Sequence, residues 1–555
     1  MFVQLLAAAA LCYLAWSIVT LQINYRRALT MGIPLIRLPV DPLNVPFQVF
    51  EPHIFRLLDA LPIRLPEFLY CLRRGWYFGD KADMHLKYGP IWAFVTPRDI
   101  HVLLADSEAI HQVYSRRGDF LRPRKMYELL EVYGPCISTA DAKNWPRHRK
   151  ILAAPFNESA MSYVWSESLQ QTRQMLEAWS SMSSAGIPSV AKDTRTLSLN
   201  VLAAIGFRRS FEFRSSDDSA PVRERGIFSY RDALQIVLDN SILLMLIPRH
   251  HLIYSWMPKA LQRIGLAASD FKKHMVQMLD EETKLLNQGE KGSGSLMTSF
   301  LRALDAKDKD TGSSAPQGLS VDEIFGNIFV INFAGHDTTA NTLAFSTLLL
   351  AAYPHVQQWV AEELANVIGE KPQEEWNYAD LYPRLKRCQA VLLETLRLYP
   401  PIMALPKWTN DQPQALQVAD RQIVIPPHTG VQPNIIATHT HPQYWHEPRT
   451  WKPSRWIKHS GGQDELFVPP RDTFLPWSDG PQNCLGMKFS QVEFVAVLAR
   501  LLFQHRLRVL KERPTETDAE ATARVWKVAN ECDAQMLLRL VNPDQVRVAC
   551  VAVDG

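Results

Sequence analysis

The sequence predicts a mainly α-helical fold with small β-sheets (α+β), built around one long central helix. Downstream of about residue 100 the apolar pattern is mostly helical, and β-like segments are short. Ser320 and Glu323 form a capping box that starts a helix. No proline follows until Pro354, so this helix is expected to span about 33 residues, or about 50 Å. Its first half is apolar on nearly every side, which predicts a course through the middle of a domain.

The strand predictions rest on two segments. Residues 91–106, IWAFVTPRDIHVLLAD, are expected to form two strands joined by a turn at 96–99. Residues 421–436, RQIVIPPHTGVQPNII, are expected to form a second hairpin that turns around 426–430. Two polar segments, 287–295 and 305–318, are interpreted as solvent loops between helices.

The composition excludes several classes of protein. The chain has 555 residues, which is long for one compact core. Its net charge of +3 gives no reason to expect nucleic acid as a partner. The seven cysteines are widely spaced, odd in number and without a C-x-x-C pair. This pattern argues against a disulfide framework and a structural zinc site, and it favours a reducing compartment.

The N-terminal segment is expected to attach the chain to a membrane. Residues 2–23 contain no charge, and about 20 apolar residues cross a bilayer core. Arg26 and Arg27 follow, which would keep the remainder of the chain on the cytosolic side. A cleaved signal peptide is the alternative, and the cysteine pattern speaks against it. The expected organisation is therefore a transmembrane anchor over 1–23, a proline-rich linker over 24–50 and a folded domain over 51–555.

The segment AGHDTT, residues 334–339, lies inside the apolar central helix. Gly335 costs a helix interior about 1 kcal/mol relative to alanine, and the carboxylate of Asp337 is costly in an apolar segment unless it is paired or near water. Thr338 can bond back to the carbonyl of Ala334 and bend the helix. These locally unfavourable residues indicate a site, where small residues leave room for a ligand. A packing glycine beside a solvated turn is the alternative.

Four further motifs occur in a fixed order along the chain. Glu394 and Arg397 lie on one helix face at i, i+3 among leucines, so a buried ion pair is expected. Arg455 in WKPSRW is a possible third member, although alone it is an ordinary loop arginine. NWPRHRK presents Trp145 and Arg149 on one helix face, and both can donate to a carboxylate. The alternative for NWPRHRK is a basic surface helix.

The fourth motif is the loop PWSDGPQNCLG, residues 476–486, which carries one cysteine, Cys484. Taken alone, this loop leaves a buried structural cysteine possible, because free cysteine often behaves as a small hydrophobe. Together, five motifs resemble those of the cytochrome P-450 family of haem-thiolate monooxygenases. They are W-x-x-x-R, A-G-x-D-T-T, E-x-x-R, P-x-R-W and this cysteine loop. The resemblance covers about residues 50–540. The N-terminus resembles that of microsomal members, and the cysteine loop resembles fungal ones.

The resemblance implies the cytochrome P-450 fold, with 51–555 as the catalytic domain, and haem (iron protoporphyrin) as the cofactor. Cys484 would be the axial thiolate ligand of the iron. Asp337 and Thr338 would be the catalytic acid–alcohol pair that delivers protons on the distal side. The remaining roles implied are cofactor binding (Trp145, Arg149, Lys407, Trp477, Gln482, Gly486), substrate binding (Phe333, Ala334, Ile402, Met403) and a structural triad (Glu394, Arg397, Arg455).

Three positions depart from the family pattern. Trp477 stands where the family usually has phenylalanine, and its indole can still pack beside the thiolate. Gln482 stands where arginine or histidine usually contacts a haem propionate, so weaker anchoring of the haem is expected there. Ser454 replaces the usual acid, whereas Arg455 keeps its place in the triad.

The function implied is insertion of one oxygen atom from O2 into a lipophilic substrate, in secondary metabolite biosynthesis. Electrons would come from NADPH through a cytochrome reductase, which Arg147, Lys150 and Lys488 are expected to face. The expected location is the endoplasmic reticulum membrane, single-pass and in contact with lipid, with a cytosolic catalytic domain. The alternatives are a reductase-independent haem-thiolate isomerase or dehydratase and a non-catalytic haem-binding protein; Asp337 and Thr338 argue against both.

Overall fold

The computed structural model describes residues 2–62, 65–182, 185–207, 210–214, 226–289, 294–304, 318–534 and 536–553. It confirms the mainly α-helical fold with small sheets. The helices are α1 Phe2–Leu29, α2 Val45–Asp59, α3 Glu67–Tyr70, α4 Trp76–Asp80, α5 Asp83–Tyr88, α6 Ser107–Ser115, α7 Arg124–Tyr127, α8 Trp145–Ala153, α9 Glu158–Ser181, α10 Val190–Phe207, α11 Tyr230–Asp239, α12 Ser241–Leu246, α13 Arg249–Leu252, α14 Lys259–Asn287, α15 Leu296–Arg302, α16 Val321–Ala352, α17 Pro354–Ile368, α18 Tyr378–Leu381, α19 Lys386–Leu398, α20 Ile435–Thr440, α21 Met487–Gln504 and α22 Asp518–Asn530.

The strands are short and form one larger sheet with four two-stranded ribbons among the described residues. The larger sheet has the order β1-β2-β3-β8-β5-β4, and the ribbons are β6-β7, β9-β10, β11-β14 and β12-β13. The strands are β1 Leu35–Arg37, β2 Ile91–Val95, β3 Ile100–Leu104, β4 Phe120–Leu121, β5 Lys407–Thr409, β6 Gln414–Val418, β7 Arg421–Ile425, β8 Gly430–Pro433, β9 Ile457–Ser460, β10 Gln463–Leu466, β11 His505–Val509, β12 Cys532–Asp533, β13 Arg539–Leu540 and β14 Val548–Ala552.

One predicted hairpin is confirmed and the other is wrong. β2 and β3 pair antiparallel, with Ile91 opposite Leu104. In the second segment both strands exist, but β7 pairs with β6, while β8 enters the larger sheet beside β3. The burial patterns explain the difference. All four residues of β8 are buried, as suits a strand inside a sheet, whereas the first two residues of β7 are exposed, as suits an outer ribbon.

The predicted central helix is α16, which runs for 32 residues from a capping box formed by Ser320 and Glu323. Its side chains join the main hydrophobic core with those of α9, α10, α19 and α21. Small residues permit one close approach: a Cβ on Gly326 would lie 2.2 Å from the carbonyl oxygen of Gly134. The chain that precedes α8 therefore lies directly against α16.

Glu323 also fixes α8 against the start of α16. Its carboxylate accepts hydrogen bonds from Arg147 at 2.6 Å and from His148 at 3.0 Å. Desolvation alone would raise the pKa of Glu323, but these donors and the Ser320 N–H lower it to about 2. The helix that carries Trp145 and Arg149 is thereby held in place relative to the central helix.

The N-terminal charge-free run forms helix α1. Within the described part of the chain, no helix is both long enough and apolar enough to cross a bilayer. The segment 24–50 is more structured than an extended linker, since it contains the end of α1, strand β1 and the start of α2. Of the two predicted loops, residues 290–293 and 305–317 lie outside the described residues.

A buried carboxyl in α21 gives a prediction for stability. Glu493 is 1% exposed, and neither carboxyl oxygen has a hydrogen-bond partner among the described residues. Desolvation raises its pKa from 4.5 to about 8. Since the folded state holds this proton and the unfolded state releases it, stability falls as the pH rises from 4.5 to about 8. Glu493→Gln is expected to stabilise the protein by about 3 kcal/mol at pH 8 and by little at pH 5.

The measurement is the thermal midpoint of both proteins at the two pH values. Glu465→Gln is the matched control, because Glu465 is exposed and should leave the pH dependence unchanged. An equal stabilisation by Glu493→Gln at both pH values would contradict the assignment of a protonated carboxyl.

Candidate functional site

The cysteine loop is held in one shape by backbone contacts. Gly480 has φ of +69°, and a Cβ there would lie 2.6 Å from the carbonyl oxygen of Tyr114, so only glycine fits. The N–H of Cys484 donates to the carbonyl oxygen of Trp477 at 2.9 Å. The indole N–H of Trp477 donates to Ser490 Oγ on α21 at 3.0 Å. The loop therefore closes on itself and is fastened to the helix that follows it.

Cys484 is exposed, whereas four other cysteines, namely Cys71, Cys136, Cys388 and Cys550, are buried. Desolvation by the surrounding protein raises the pKa of the Cys484 thiol, while the Gly486 N–H and the Arg149 guanidinium lower it. The balance leaves the pKa above its ordinary value. Ionisation of this thiol therefore needs a further positive charge at the sulfur, which a metal ion would provide.

The two predicted anion ligands on α8 reach the same loop. Arg149 donates to the Asn483 carbonyl oxygen at 2.6 Å and to the Asn483 side-chain oxygen. One turn earlier on the helix, Trp145 is buried, and its indole Nε1 has no hydrogen-bond partner among the described residues. A buried indole N–H without an acceptor is costly, so this donor fits an anionic group bound next to the cysteine loop.

Lys407 and Gln482, both predicted as cofactor ligands, contact each other. Lys407 Nζ donates to Gln482 Oε1 at 2.6 Å. Lys407 is 4% exposed, and burial lowers its pKa to about 7. Gln482 brings no charge of its own. Its amide oxygen accepts from Lys407 and so orients that side chain.

Arg122 is a cation near this site that the sequence analysis did not assign. In the β4–β5 ladder Leu121 stands opposite Trp408, and one step further along that antiparallel register Arg122 falls beside Lys407. Consistent with this position, the charge of Arg122 helps to lower the pKa of Lys407. The signal was not available from the sequence, because the two residues meet only through strand pairing.

On α16, Asp337 and Thr338 make different contacts. Asp337 accepts from Arg195 Nε at 2.7 Å. Desolvation would raise the pKa of Asp337, but His336 and Arg195 lower it below its ordinary value. The Thr338 hydroxyl donates to the Ala334 carbonyl oxygen at 2.9 Å, as the sequence predicted.

The predicted substrate-binding residues lie on two elements. Phe333 is partly buried, and Ala334 is exposed although α16 is mostly buried. Ile402 and Met403 are partly buried and follow α19 on the way to β5. Their shared role in substrate binding is a prediction.

The predicted triad is assembled around Glu394. Arg397 forms a bidentate pair with Glu394, with both distances 2.9 Å, and Arg455 Nε donates to the same carboxylate at 3.0 Å. Two donors that the sequence did not indicate complete the set: the Trp456 indole at 2.9 Å and the Lys452 N–H at 2.8 Å. Glu394 and Arg397 are fully buried, so the pair depends on these additional donors.

The residues at this site fit haem. Cys484 offers an accessible sulfur, which is a soft ligand suited to iron. Three side chains suit the carboxylates of haem. Trp145 has a buried N–H without a partner among the described residues, and the other two, Arg149 and Lys407, are cationic groups. Ala334 offers an exposed small side chain on the central helix.

Comparisons with known proteins agree with this chemistry. The cytochrome P-450 family model matches residues 61–529. A cytochrome P-450 monooxygenase of Arthrobotrys oligospora is 27% identical over 96% of this chain and 95% of its own. Cytochrome P-450 monooxygenase 124 of Postia placenta is 30% identical over 74% of this chain and 76% of its own.

Two further similarities bear on pathway and fold. The phomenoic acid biosynthesis cluster cytochrome P-450 monooxygenase of Leptosphaeria maculans is 28% identical over 89% of this chain and 90% of its own. The crystal structure of the cytochrome P-450DA haem domain shares the fold, with a TM-score of 0.66 and 18% identity over 89% of this chain and 97% of that chain. The chain belongs to the cytochrome P-450 family and is a haem-dependent monooxygenase.

Proposed function

We propose that the enzyme inserts one oxygen atom from O2 into a lipophilic substrate of secondary metabolism, with NADPH-derived electrons delivered by a cytochrome reductase. The observation that carries the proposal is the accessible Cys484 in a rigid loop, together with Asp337 and Thr338 on the central helix. The secondary-metabolic context is supported by the relative whose name places it in the phomenoic acid cluster.

In this proposal Cys484 would hold the haem through its sulfur, and Arg149 holds the cysteine loop through Asn483. When bound, haem would supply the chemistry of oxygen activation, which a thiolate ligand favours. Thr338 donates to the Ala334 carbonyl oxygen, and its hydroxyl would relay the proton from Asp337. Asp337 is kept ionised beside Arg195, and it would take up protons from solvent and pass them on toward Thr338.

The haem propionates would be bound by Trp145, Arg149 and Lys407, and Arg122, which the strand register places beside Lys407, would add a further cation. Trp477 would pack beside the sulfur, since its carbonyl already accepts from the Cys484 N–H. Gly486 would direct its N–H at the same sulfur, because that N–H already lowers the pKa of the thiol. The substrate side of the haem would be lined by Phe333, Ala334, Ile402 and Met403.

The role of Arg122 gives a prediction for cofactor retention. Arg122→Gln is expected to speed the transfer of haem to an excess of apomyoglobin by about tenfold, the effect of losing roughly 1.4 kcal/mol of charge-assisted bonding. Adding Gln482→Arg to this variant is expected to restore retention, because it places a cation at a residue that contacts Lys407. Faster transfer in the single variant without recovery in the double variant would contradict the assignment.

The alternatives differ in their need for electrons. A reductase-independent isomerase or dehydratase would turn over without NADPH, and a non-catalytic haem protein would not turn over at all. The presence of Asp337 and Thr338 favours the monooxygenase. The test is expression with a cytochrome reductase in a host that lacks this gene, followed by mass spectrometry of the products and measurement of NADPH consumption. New oxygenated products without NADPH consumption would contradict the proposal.

The surface proposed for the reductase is smaller than the sequence predicted. Arg147 is engaged by Glu323 and by the Gly318 carbonyl, so it is not free to meet a partner. Lys488 lies 4.0 Å over the ring of Tyr382 and is partly buried. Lys150 is exposed on α8 and remains the proposed contact of the three.

We also propose that α1 attaches the enzyme to the endoplasmic reticulum membrane and its lipids, with the catalytic domain on the cytosolic side. Supporting side chains are exposed and apolar: Leu5, Leu11, Leu14, Trp16, Ile18, Val19 and Ile23. Deletion of residues 2–23 is expected to move the enzyme from the membrane to the soluble fraction of a cell lysate. An unchanged distribution would contradict attachment through this helix.

A further inference from the structure

Arg195 connects three helices beside the AGHDTT segment. From α10 it donates to Asp337 on α16, with Nε at 2.7 Å from Oδ1 and Nη2 at 3.3 Å from Oδ2. The same Nη2 lies 2.9 Å from Oδ1 of Asp239, the last residue of α11. One guanidinium is therefore shared between two carboxylates that belong to different helices.

The other charged groups around Asp337 are few among the described residues. His336 Nδ1, on the same helix, lies 3.3 Å from Asp337 Oδ1. Burial lowers the pKa of His336, and in its protonated form the ring adds to Arg195 in lowering the pKa of Asp337. Arg539 on β13 also contributes a weaker favourable charge. Arg195 is thus the permanently charged group in direct contact with the carboxylate.

The shared guanidinium has two consequences for Asp337. Its planar fork fixes the orientation of the carboxylate toward α10, which a single point charge would not do. Its charge stabilises the ionised form, but that effect is divided with Asp239, because both acids use Nη2. The end of α11 therefore competes with α16 for the same cation.

We propose that Arg195 is a positioning residue for proton delivery, which orients the Asp337 carboxylate, and that Asp239 limits this action by competing for the guanidinium. The inference rests on the proposed function, in which Asp337 handles the proton. Arg195 lies 142 residues before Asp337 in the chain, and neither the sequence motif nor the family resemblance assigns it a role.

The test uses the haem-loaded enzyme and measures two pH profiles: the infrared carboxylate band of Asp337, assigned by its loss in Asp337→Asn, without turnover, and product formed per NADPH consumed with reductase. In Arg195→Gln, Asp337 loses its cation, so the acid limb of the profile is expected to move to higher pH by about one unit. Product per NADPH is expected to fall several-fold. Arg195→Lys keeps the charge without the fork and should fall between this variant and the wild type.

Asp239→Asn removes the competing acid and is expected to move the acid limb in the opposite direction, to lower pH. A merely structural role for the cluster would not produce shifts of opposite sign. Arg173→Gln is the matched control, because Arg173 pairs with Glu177 on the surface of α9 at 3.5 Å and should leave the profile in place. Haem content confirms that each variant is folded, and if Arg195→Gln does not fold, the other two variants decide.

The proposal is supported if the acid limb moves to higher pH in Arg195→Gln and to lower pH in Asp239→Asn. Variants that lose activity without any shift, or that shift in the same direction, would overturn it while leaving the proposed function intact. A wild-type enzyme without NADPH-dependent product would overturn the proposed function and this inference with it.

Discussion

Cys484→Ser is expected to abolish turnover and to remove the thiolate-type absorption shift that follows addition of carbon monoxide to the reduced protein. A serine hydroxyl has a much higher pKa than a thiol and is a harder ligand, so it does not supply the electron density that a thiolate donates to iron. The loop should keep its shape, because the N–H of residue 484 still donates to the Trp477 carbonyl. The effect is therefore expected at the iron and not in the fold.

Cys12→Ser is the matched control, because Cys12 is also exposed but lies in α1, far along the chain from the cysteine loop. This variant should keep both the absorption shift and the turnover of the wild type. Retention of the thiolate-type shift in Cys484→Ser would show that another residue ligates the iron.

Arg397→Leu is expected to destabilise the protein by about 3–5 kcal/mol, because it leaves the fully buried carboxylate of Glu394 without its main partner. The arginine also donates to the carbonyl oxygens of His439, Pro448 and Thr450, which would lose a donor. Thermal or urea unfolding of the haem-loaded protein measures the change in the free energy of unfolding.

Trp456→Phe is the graded comparison within the same network. It removes only the indole donor to Glu394 and is expected to cost about 1–2 kcal/mol. Arg384→Leu serves as the surface control, since Arg384 and Asp380 are both about half exposed and such pairs contribute about 0–1 kcal/mol. Equal losses in Arg397→Leu and Arg384→Leu would contradict the account of the buried network.

Features that depend on neighbouring residues could be predicted from the sequence. The capping box at Ser320 and Glu323 located the start of α16, and its apolar pattern located its course. The bond from Thr338 to Ala334 and the pair of Glu394 with Arg397 each follow from helical spacing. In all of these the partners are three or four residues apart, so local geometry alone brings them together.

Features that depend on packing between distant segments could not be predicted. Arg195 and Asp337 meet because α10 packs on α16, and Arg122 reaches Lys407 because β4 pairs with β5. The strand β8 carries the same local signals as a hairpin arm, but its burial places it inside the larger sheet. Local pattern does not determine which of several possible partners a segment takes.

The N-terminal helix is another feature that the local pattern indicates. Residues 2–23 carry no charge, and α1, Phe2–Leu29, contains that run. Asn24 of the same helix donates to the Thr96 carbonyl at 3.0 Å, so the end of α1 also packs on the sheet.

We expect this enzyme to transfer one oxygen atom from O2 to its substrate. The most direct test is turnover of a product-forming substrate under isotopically labelled dioxygen, with reductase and NADPH, and mass spectrometry of the product. The expected result is one labelled oxygen atom in each product molecule, with NADPH consumption that depends on substrate. Product that carries oxygen from labelled water, or product formed equally without NADPH, would contradict this expectation.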